Sequence, residues 1–152
     1  MPELGKPVNV WCEHCTIGAG CLIYETRPDS CQRYECMWFT NENWPDDLRP
    51  DRSRVMFEYL NGTDIIMALS TRGNDEAWRK PPVQRQIFRF IKEGYAVVIR
   101  AEGGKRRLLI PKGKTPNQVT AELEKFYTQP GVLKEQDGVT GLYNRPNDAL
   151  AG

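Results

Sequence analysis

Two runs rich in apolar residues, SRVMFEYL and TDIIMALS, flank the dipeptide Asn61-Gly62. Both runs have the length and composition of strands, and Asn-Gly tolerates the positive φ angles of a tight hairpin turn. We therefore expect a β-hairpin over residues 53–70.

A helical period follows after Pro81-Pro82, in the stretch VQRQIFRFIKEG. Proline is favoured at the first helical position, and Gly94 stands where such a helix would stop. Apolar residues recur at i, i+4, i+7 and i+8: Val83, Ile87, Phe90 and Ile91. The pattern predicts one amphipathic helix after the hairpin.

A second strand pair and a second helix complete the regular region. YAVVIRA and KRRLLIP are joined through residues 102–104, which include two glycines, and this predicts another hairpin. Thr115-Pro116 with Gln118 forms a capping-box pattern that starts a helix. The apolar stripe of that helix comprises Val119, Leu123, Phe126 and Tyr127.

The element order is therefore β-β-α-β-β-α, an α+β fold. Two hairpins and two one-faced helices pack most simply as a four-stranded antiparallel sheet with both helices on one face. The chain divides into a cysteine-rich metal-binding module at 1–40, a connector at 41–52, the α+β domain at 53–128 and an irregular tail at 129–152.

Composition restricts the class of protein. The chain has 152 residues, of which 39% are hydrophobic and 27% charged, as in a folded domain rather than a disordered chain. No stretch has the apolar length of a signal peptide or a membrane span, so we expect a cytoplasmic protein without a membrane partner.

All five cysteines fall between positions 12 and 36. An odd number of cysteines in a reducing compartment favours metal ligation over disulfides. Cys12 and Cys15 form C-x2-C, Cys21 follows a glycine-containing loop, and Cys31 lies just inside a helix that Pro28 begins and that continues through Phe39. We therefore predict a Zn²⁺ site of Cys12, Cys15, Cys21 and Cys31, with a structural role.

Two further residues are reserve ligands. Cys36 lies five residues beyond Cys31, so a regular helix would rotate it by about 140° away from that face. It is therefore either a small buried residue or a replacement ligand. His14, inside the C-x2-C, is either an exposed loop residue or the nitrogen ligand of a Cys₃His site.

The stretch CLIYETRPDSCQRY, together with the upstream C-x2-C, resembles the signature of the YkgJ-like CxxCxxCC family, whose name records chelation of zinc or iron. The matching residues are Cys12, Cys15, Cys21, Ile23, Tyr24, Glu25, Arg27, Pro28, Cys31 and Tyr34. The resemblance covers residues 12 to about 38. It departs from the family in its short spacer, in Gln32 and in the absence of a second cysteine pair. It implies metal binding, with zinc or iron, and no reaction.

Arginines near the cysteines suggest how the charge of such a site is balanced. A Zn²⁺ ion with four thiolates carries a net charge of −2, and hydrogen bonds from Arg27 and Arg33 to sulfur would offset it. Ordinary surface ion pairing is the alternative for both arginines. Four thiolates would also hold an iron–sulfur cluster, so an iron–sulfur redox protein stays an alternative.

The net charge of +1 hides a basic stretch: residues 79–114 carry eleven Lys and Arg against two Asp and Glu. We expect a nucleic acid or an acidic protein as an alternative partner, bound on a sheet face that the helices leave open. The predicted contact residues are Arg85, Arg89, Arg100, Lys105, Arg106 and Arg107.

Enzyme chemistry has little support in the sequence. His14 is the only histidine, and neither a glycine-rich phosphate loop nor a G-x-S-x-G motif is present. The W-C-x-x-C pattern at Trp11–Cys15 is found in thioredoxin-like proteins, but those need a β-α-β unit upstream, for which ten residues leave no room. We therefore expect a binding protein rather than an enzyme.

Overall fold

The computed structural model describes residues 2–6, 11–34, 36–101 and 106–128. Its strands are β1 Cys15–Thr16, β2 Gly20–Cys21, β3 Val55–Tyr59, β4 Ile65–Ser70, β5 Ala96–Arg100 and β6 Arg106–Leu109. Its helices are α1 Asp29–Gln32, α2 Met37–Thr40, α3 Pro50–Ser53, α4 Pro81–Lys92 and α5 Pro116–Thr128. Short 3₁₀ turns lie at Pro2–Leu4, Tyr24–Thr26, Asp46–Leu48 and Ala77–Arg79. The predicted tail at 129–152 lies outside the described residues.

The main sheet has the order β3-β4-β5-β6 and is mixed, so the prediction of a four-stranded antiparallel sheet is wrong. β3 with β4 and β5 with β6 are antiparallel, but β4 and β5 run parallel, from the pair Ile65–Ala96 to the pair Leu69–Arg100. The physical reason is α4, which lies between the two strands in the chain. A helix packed on the sheet returns the chain to the end where the previous strand began, and the next strand then runs parallel to it.

The helices cover opposite faces of the sheet, which corrects the second part of the fold prediction. On one face α4 packs against alternate residues of β3, β4 and β5: Val55, Phe57, Ile66, Ala68, Val97 and Ile99. On the other face Val119 and Phe126 of α5 pack against a second set: Leu60, Ile65, Met67, Ala96 and Val98. Because both faces are covered, every side chain of β5 is buried.

The local signals of the α+β domain are confirmed. Gly62 has a φ of +80° in the turn between β3 and β4. At the start of α5 the backbone N–H of Thr115 donates to Oε1 of Gln118 at 2.8 Å. The N–H of Gln118 donates back to the Thr115 hydroxyl at 3.3 Å, which is the reciprocal pair of a capping box.

The predicted continuous helix from Pro28 to Phe39 is wrong. Helix α1 ends where the N–H of Arg33 donates to the Asp29 carbonyl, and Cys36 is extended, with φ −90° and ψ 163°, before α2 begins. Between the two helices the Tyr34 hydroxyl donates to Oε1 of Glu58 on β3 at 2.7 Å and contacts the sulfur of Met56. This tertiary contact lies where the predicted helix is interrupted, and it attaches the cysteine segment to the edge of the sheet.

None of the helices in the described part of the chain has the length and apolar content needed to cross a bilayer.

Burial raises the pKa of the Glu58 carboxyl, while the hydrogen bond from Tyr34 lowers it by less. The folded protein therefore holds this proton more tightly than the unfolded chain. The resulting stabilisation is complete below the unfolded pKa of about 4.3 and is lost as the pH rises through the folded pKa. In Glu58→Gln this loss disappears, because the amide oxygen still accepts from Tyr34 and carries no charge.

Chemical denaturation between pH 4 and pH 8 measures the effect. We expect Glu58→Gln to gain free energy of unfolding relative to wild type as the pH rises. The exposed Glu124→Gln on α5 is the control and should follow wild type. Parallel pH profiles for wild type and Glu58→Gln would contradict the assignment.

Candidate metal centre

The first two cysteines form a tight turn. The backbone N–H of Cys15 donates to the carbonyl of Cys12 at 3.0 Å. The indole Nε1 of Trp11 donates to the carbonyl of Cys15, also at 3.0 Å. These two bonds fix the backbone of the C-x2-C, so both sulfurs start from one loop.

A two-residue hairpin brings the third cysteine to the second. β1 pairs antiparallel with β2, with Cys15 opposite Cys21. The N–H of Leu22 donates to the carbonyl of His14 at 2.7 Å, so the two cysteines occupy a non-hydrogen-bonded position, where facing side chains are closest. Gly18 and Gly20 have φ of +81° and +101° in the turn, a conformation that other residues rarely adopt.

Cys31 joins this group from α1. Its backbone N–H donates to the Pro28 carbonyl at 2.9 Å, which places it in the first turn of the helix. Burial raises the pKa of the Cys31 thiol, and the thiolate charges of Cys12 and Cys21 raise it further. Burial likewise raises the pKa of Cys15, followed by the charges of Asp51, Cys12 and Cys21. Cys12 and Cys21 therefore lie within electrostatic range of both Cys15 and Cys31.

Electrostatic range is longer than a metal–ligand bond. Within the described ranges of the chain, no group of three or more His, Cys, Asp or Glu side chains is arranged to hold a metal ion. The backbone thus brings four thiols to one region, and side-chain movement is still needed to bring their sulfurs to bonding distance.

An arginine that sequence reasoning missed stands beside Cys15. The guanidinium of Arg54 lies 4.9 Å from the centroid of the Trp11 ring, and its positive charge lowers the pKa of Cys15 against the effects that raise it. Arg54 has a φ of +65°, at the C-terminal cap of α3. It lies in the tertiary structure next to a cysteine 39 positions earlier, which no spacing in the sequence indicates.

A buried ion pair clamps the hairpin turn onto α3. Asp51 is 7% exposed, and its carboxylate accepts from Nε and Nη2 of Arg49 at 2.6 and 2.8 Å. The same carboxylate accepts the backbone N–H of Gly18 at 2.9 Å, while Arg49 Nη2 donates to the Gly18 carbonyl at 3.2 Å. The hydrogen bond from Arg49 is the largest of the effects that lower the pKa of Asp51. Both residues lie in or next to the predicted connector, where nothing in the sequence pointed to Gly18.

The two arginines predicted to neutralise the site are placed differently. Arg27 stacks on Tyr24, with its guanidinium 3.8 Å from the ring centroid, and donates to the Tyr24 carbonyl. Arg33 has an exposed side chain at the end of α1. The arginines that interact electrostatically with Cys15 include Arg54 and Arg49, neither of which was predicted.

The reserve ligands are also separated. Cys36 is 8% exposed, and burial raises the pKa of its thiol. The charge that acts on Cys36 is the Glu58 carboxylate at the sheet edge. His14 is partly buried, with Nε2 3.6 Å from the Glu13 carboxylate. Their roles as ligands stay predictions.

The basic stretch does not form the open face expected for an acidic partner. Arg100 is 4% exposed and Val98 3%, on the face that α5 covers, so that face is not open. Arg106 pairs with Arg100, whereas Arg107 pairs with Ile99 on the opposite face and lies 5.5 Å from the Trp78 ring. Arg85 and Arg89 are exposed on α4, and Lys105 lies outside the described residues.

Comparison with protein-family models, with curated proteins and with solved structures gives no match for this chain. Metal binding, like the resemblance to the YkgJ-like family, stays a prediction that rests on the cysteine residues.

The clamp on Gly18 gives a prediction about stability. Asp51→Ala leaves the Gly18 N–H without its acceptor and removes two of the hydrogen bonds of Arg49, and the loss of such a partner costs about 1–3 kcal/mol of unfolding free energy. Asp46→Ala is the matched control, because Asp46 is an exposed ion-pair partner of the same Arg49 and of Arg52, and surface pairs contribute little. Urea denaturation should show a clearly larger loss for Asp51→Ala. Equal losses in the two variants would mean that the buried clamp contributes nothing beyond a surface pair.

Proposed function

We propose that the protein binds one zinc ion through Cys12, Cys15, Cys21 and Cys31, and that this ion has a structural role. The observation that carries the proposal is the register of the cysteine hairpin, which sets Cys15 opposite Cys21 while a hydrogen-bonded turn joins Cys15 to Cys12. Three sulfurs thus come from backbone positions that are already close. Cys31 approaches them from the first turn of α1.

The donor set fits zinc in number and type. Zn²⁺ takes four tetrahedral ligands in structural sites, and a C-x2-C turn followed by two more cysteines is a common source of them. Four thiolates leave no open position for water or substrate, which favours a structural ion over a catalytic one. The charge of −2 on such a site is offset most directly by Arg54, the cation next to Cys15.

Metal binding would complete a module that has little other support. Ile17, Leu22 and Tyr24, which surround the hairpin, are 57%, 69% and 47% exposed, so the segment buries few apolar side chains of its own. Small modules of this kind obtain their folding free energy from the metal. A reducing, cytoplasmic location belongs to the same proposal, because thiolate ligands have to escape oxidation.

The metal content of the full-length chain, purified without oxygen, tests the proposal. We expect one zinc equivalent per chain by mass spectrometry of the metal and no visible absorption, because Zn²⁺ has a filled d shell. A brown protein that contains iron and sulfide would show that the site holds an iron–sulfur cluster instead of zinc. Metal-free protein that also fails to take up added Zn²⁺ would overturn the proposal.

Single Cys→Ser variants identify the ligands. Replacing Cys12, Cys15, Cys21 or Cys31 should lower zinc affinity by orders of magnitude, since each supplies one of four bonds. Cys36→Ser is the matched control and should keep the full equivalent, because Cys36 is buried apart from the others. Loss of zinc in Cys36→Ser together with retention in Cys31→Ser would show that the ligand set is wrong.

Thiol protection provides an independent prediction. In metal-free protein, iodoacetamide should modify Cys21, which is exposed, and leave the buried Cys36 unmodified. Added Zn²⁺ should protect the four proposed ligands, because a coordinated thiolate is no longer a free nucleophile. Peptide mass mapping counts the modified residues. Unchanged labelling of Cys21 in the presence of zinc would contradict its role as a ligand.

A further inference from the structure

A cavity of about 200 Å³ lies on the α4 side of the sheet, away from the four cysteines. It is bounded by α2, by the segment that follows α2, by the edge strand β3 and by α4. Four aromatic side chains contribute to its lining: Trp44, Tyr59, Phe90 and Tyr95. Neither the sheet nor the proposed metal site accounts for an aromatic cavity in this place.

The aromatic rings hold one another in position. Tyr59 and Tyr95 meet at 86° with their centroids 5.8 Å apart, and Trp44 lies 6.0 Å from Phe90 at 44°. Edge-to-face and tilted contacts of this kind stabilise ring orientation. The walls are therefore preformed, and a flat ring that enters can stack on one wall while its edge meets another.

One polar side chain in the lining lacks a partner. Gln86 of α4 is 8% exposed and borders the cavity. No hydrogen bond joins its side-chain amide to any residue in the described part of the chain. Its amide atoms are not among the fully enclosed unpartnered atoms of the described residues, so the amide is accessible and offers one donor group and one acceptor to whatever enters the cavity. The Gln86 amide thus gives the site its polar specificity.

These features exclude two simpler occupants. An apolar side chain from a partner protein would fill the volume but would leave the Gln86 amide unsatisfied. A fully methylated ammonium group would suit the aromatic walls, and the lining holds the Arg89–Glu93 ion pair rather than a lone cation, but such a group has no N–H and no acceptor for the Gln86 amide. A flat, neutral ring with donors and acceptors on its edge satisfies both the walls and the amide.

A basic strip lies beside the cavity on the same helix. Arg85, Arg89 and Lys92 are exposed at i, i+4 and i+7 of α4, next to the positions that line the cavity. Arg85 is 70% exposed, and its Asp47 partner is 3.8 Å away, so the guanidinium is available to an anion. Arg89 pairs with Glu93 at the rim at 2.9 Å. The basic strip thus borders an aromatic cavity whose lining also includes the Arg89–Glu93 ion pair.

We propose that this cavity binds a single nucleobase, whose ring stacks on the aromatic walls and whose edge hydrogen-bonds to Gln86, while the attached phosphate contacts the basic strip of α4. A volume of about 200 Å³ holds one base but not its sugar and phosphate, which stay outside where the arginines lie. Single-stranded nucleic acids are recognised in this way, by aromatic stacking of unpaired bases and by amides that read base edges. The ligand is either a free nucleotide or one base of a single strand.

Titrations of the ¹⁵N-labelled full-length protein test the site. The probes are AMP, GMP, CMP and UMP, the four matching single-stranded RNA 12-mers, and ribose 5-phosphate, which has the phosphate without a base. We expect at least one nucleotide or 12-mer to shift the Gln86 side-chain amide and Trp44 indole signals, and to bind at least ten-fold more tightly than ribose 5-phosphate. Binding of mononucleotides identifies a nucleotide site, and binding confined to the 12-mers identifies a single-strand site.

Gln86→Met keeps the size of the side chain and removes the amide. It should weaken base binding by about ten-fold or more, because a bidentate contact from an amide to a base edge contributes that much discrimination. Gln84→Met is the matched control: it lies on the same helix but outside the cavity lining, and should bind like wild type. Thermal stability of Gln86→Met should be no lower than that of wild type, because the amide makes no internal hydrogen bond.

Three results would overturn the proposal. The first is equal binding of ribose 5-phosphate and the nucleotides, which would reduce the site to phosphate attraction. The second is unchanged affinity in Gln86→Met. The third is the absence of any shift at Trp44 and Gln86 with all nine probes, or a shift caused only by a trimethyl-lysine peptide. None of these measurements depends on the metal site, so failure of one proposal leaves the other standing.

Discussion

The parallel pairing of β4 with β5 determines where the other elements can lie. Parallel neighbours need a crossover, and α4 provides it by packing on one face of the sheet. The opposite face then has apolar residues of its own, Ile65, Met67 and Val98, which α5 has to cover. The two faces are therefore both interior. Only the edge strands and the outer sides of the helices are therefore left to form binding sites on the surface.

The edge strand β3 is where the cysteine segment is attached. Tyr34 binds the Glu58 carboxyl on one side of that strand, and α2 packs beside it. Farther along the chain, Asp51 and Arg49 hold the Gly18 peptide through its N–H and its C=O. The cysteine hairpin is thus oriented by polar contacts to the α+β domain. The backbone brings its cysteines to one region, and their side chains still have to move to bring the sulfurs to metal-bonding distance.

Most local elements could be predicted from the sequence, because turn and cap residues act over a few positions. Asn61-Gly62 and the Thr115–Gln118 capping box identified a hairpin and a helix start correctly. The arrangement of the sheet was missed although its signal was present: the order strand, helix, strand is that of a βαβ unit, which favours parallel strands. The prediction of one helix through Cys31 and Cys36 was wrong for another reason. The contact of Tyr34 with Glu58 overrides the local helix propensity.

The same distinction between local signals and tertiary contacts applies to the candidate metal centre. Loop spacing predicted one group of Cys12, Cys15, Cys21 and Cys31. The C-x2-C turn and the β1–β2 hairpin are local and bring the backbone of the first three together, while the ligand set itself stays a prediction. Asp51, which accepts the Gly18 N–H, and Arg54, whose charge acts on Cys15, come from α3 and its cap, and only the tertiary fold brings them there. The prediction that Arg100 is a surface residue was wrong because its strand is covered on both faces. The alternation of side chains along a single strand does not reveal whether one face or both faces are covered.

The segment from Met37 to Asp51, which covers α2 and most of the predicted connector at 41–52, belongs to both proposed sites. Its first part supplies Met37, Asn41 and Trp44 to the wall of the aromatic cavity, and Asp51 at its end clamps the cysteine hairpin. The intervening Trp38 and Leu48 pack into the core under α4, so the segment is fixed to the domain at both ends and in the middle. A shift of α2 would therefore move a wall of the cavity, and a shift of α3 would move the hairpin turn. The two sites are chemically separate, but both are positioned by the docking of this one segment on the sheet.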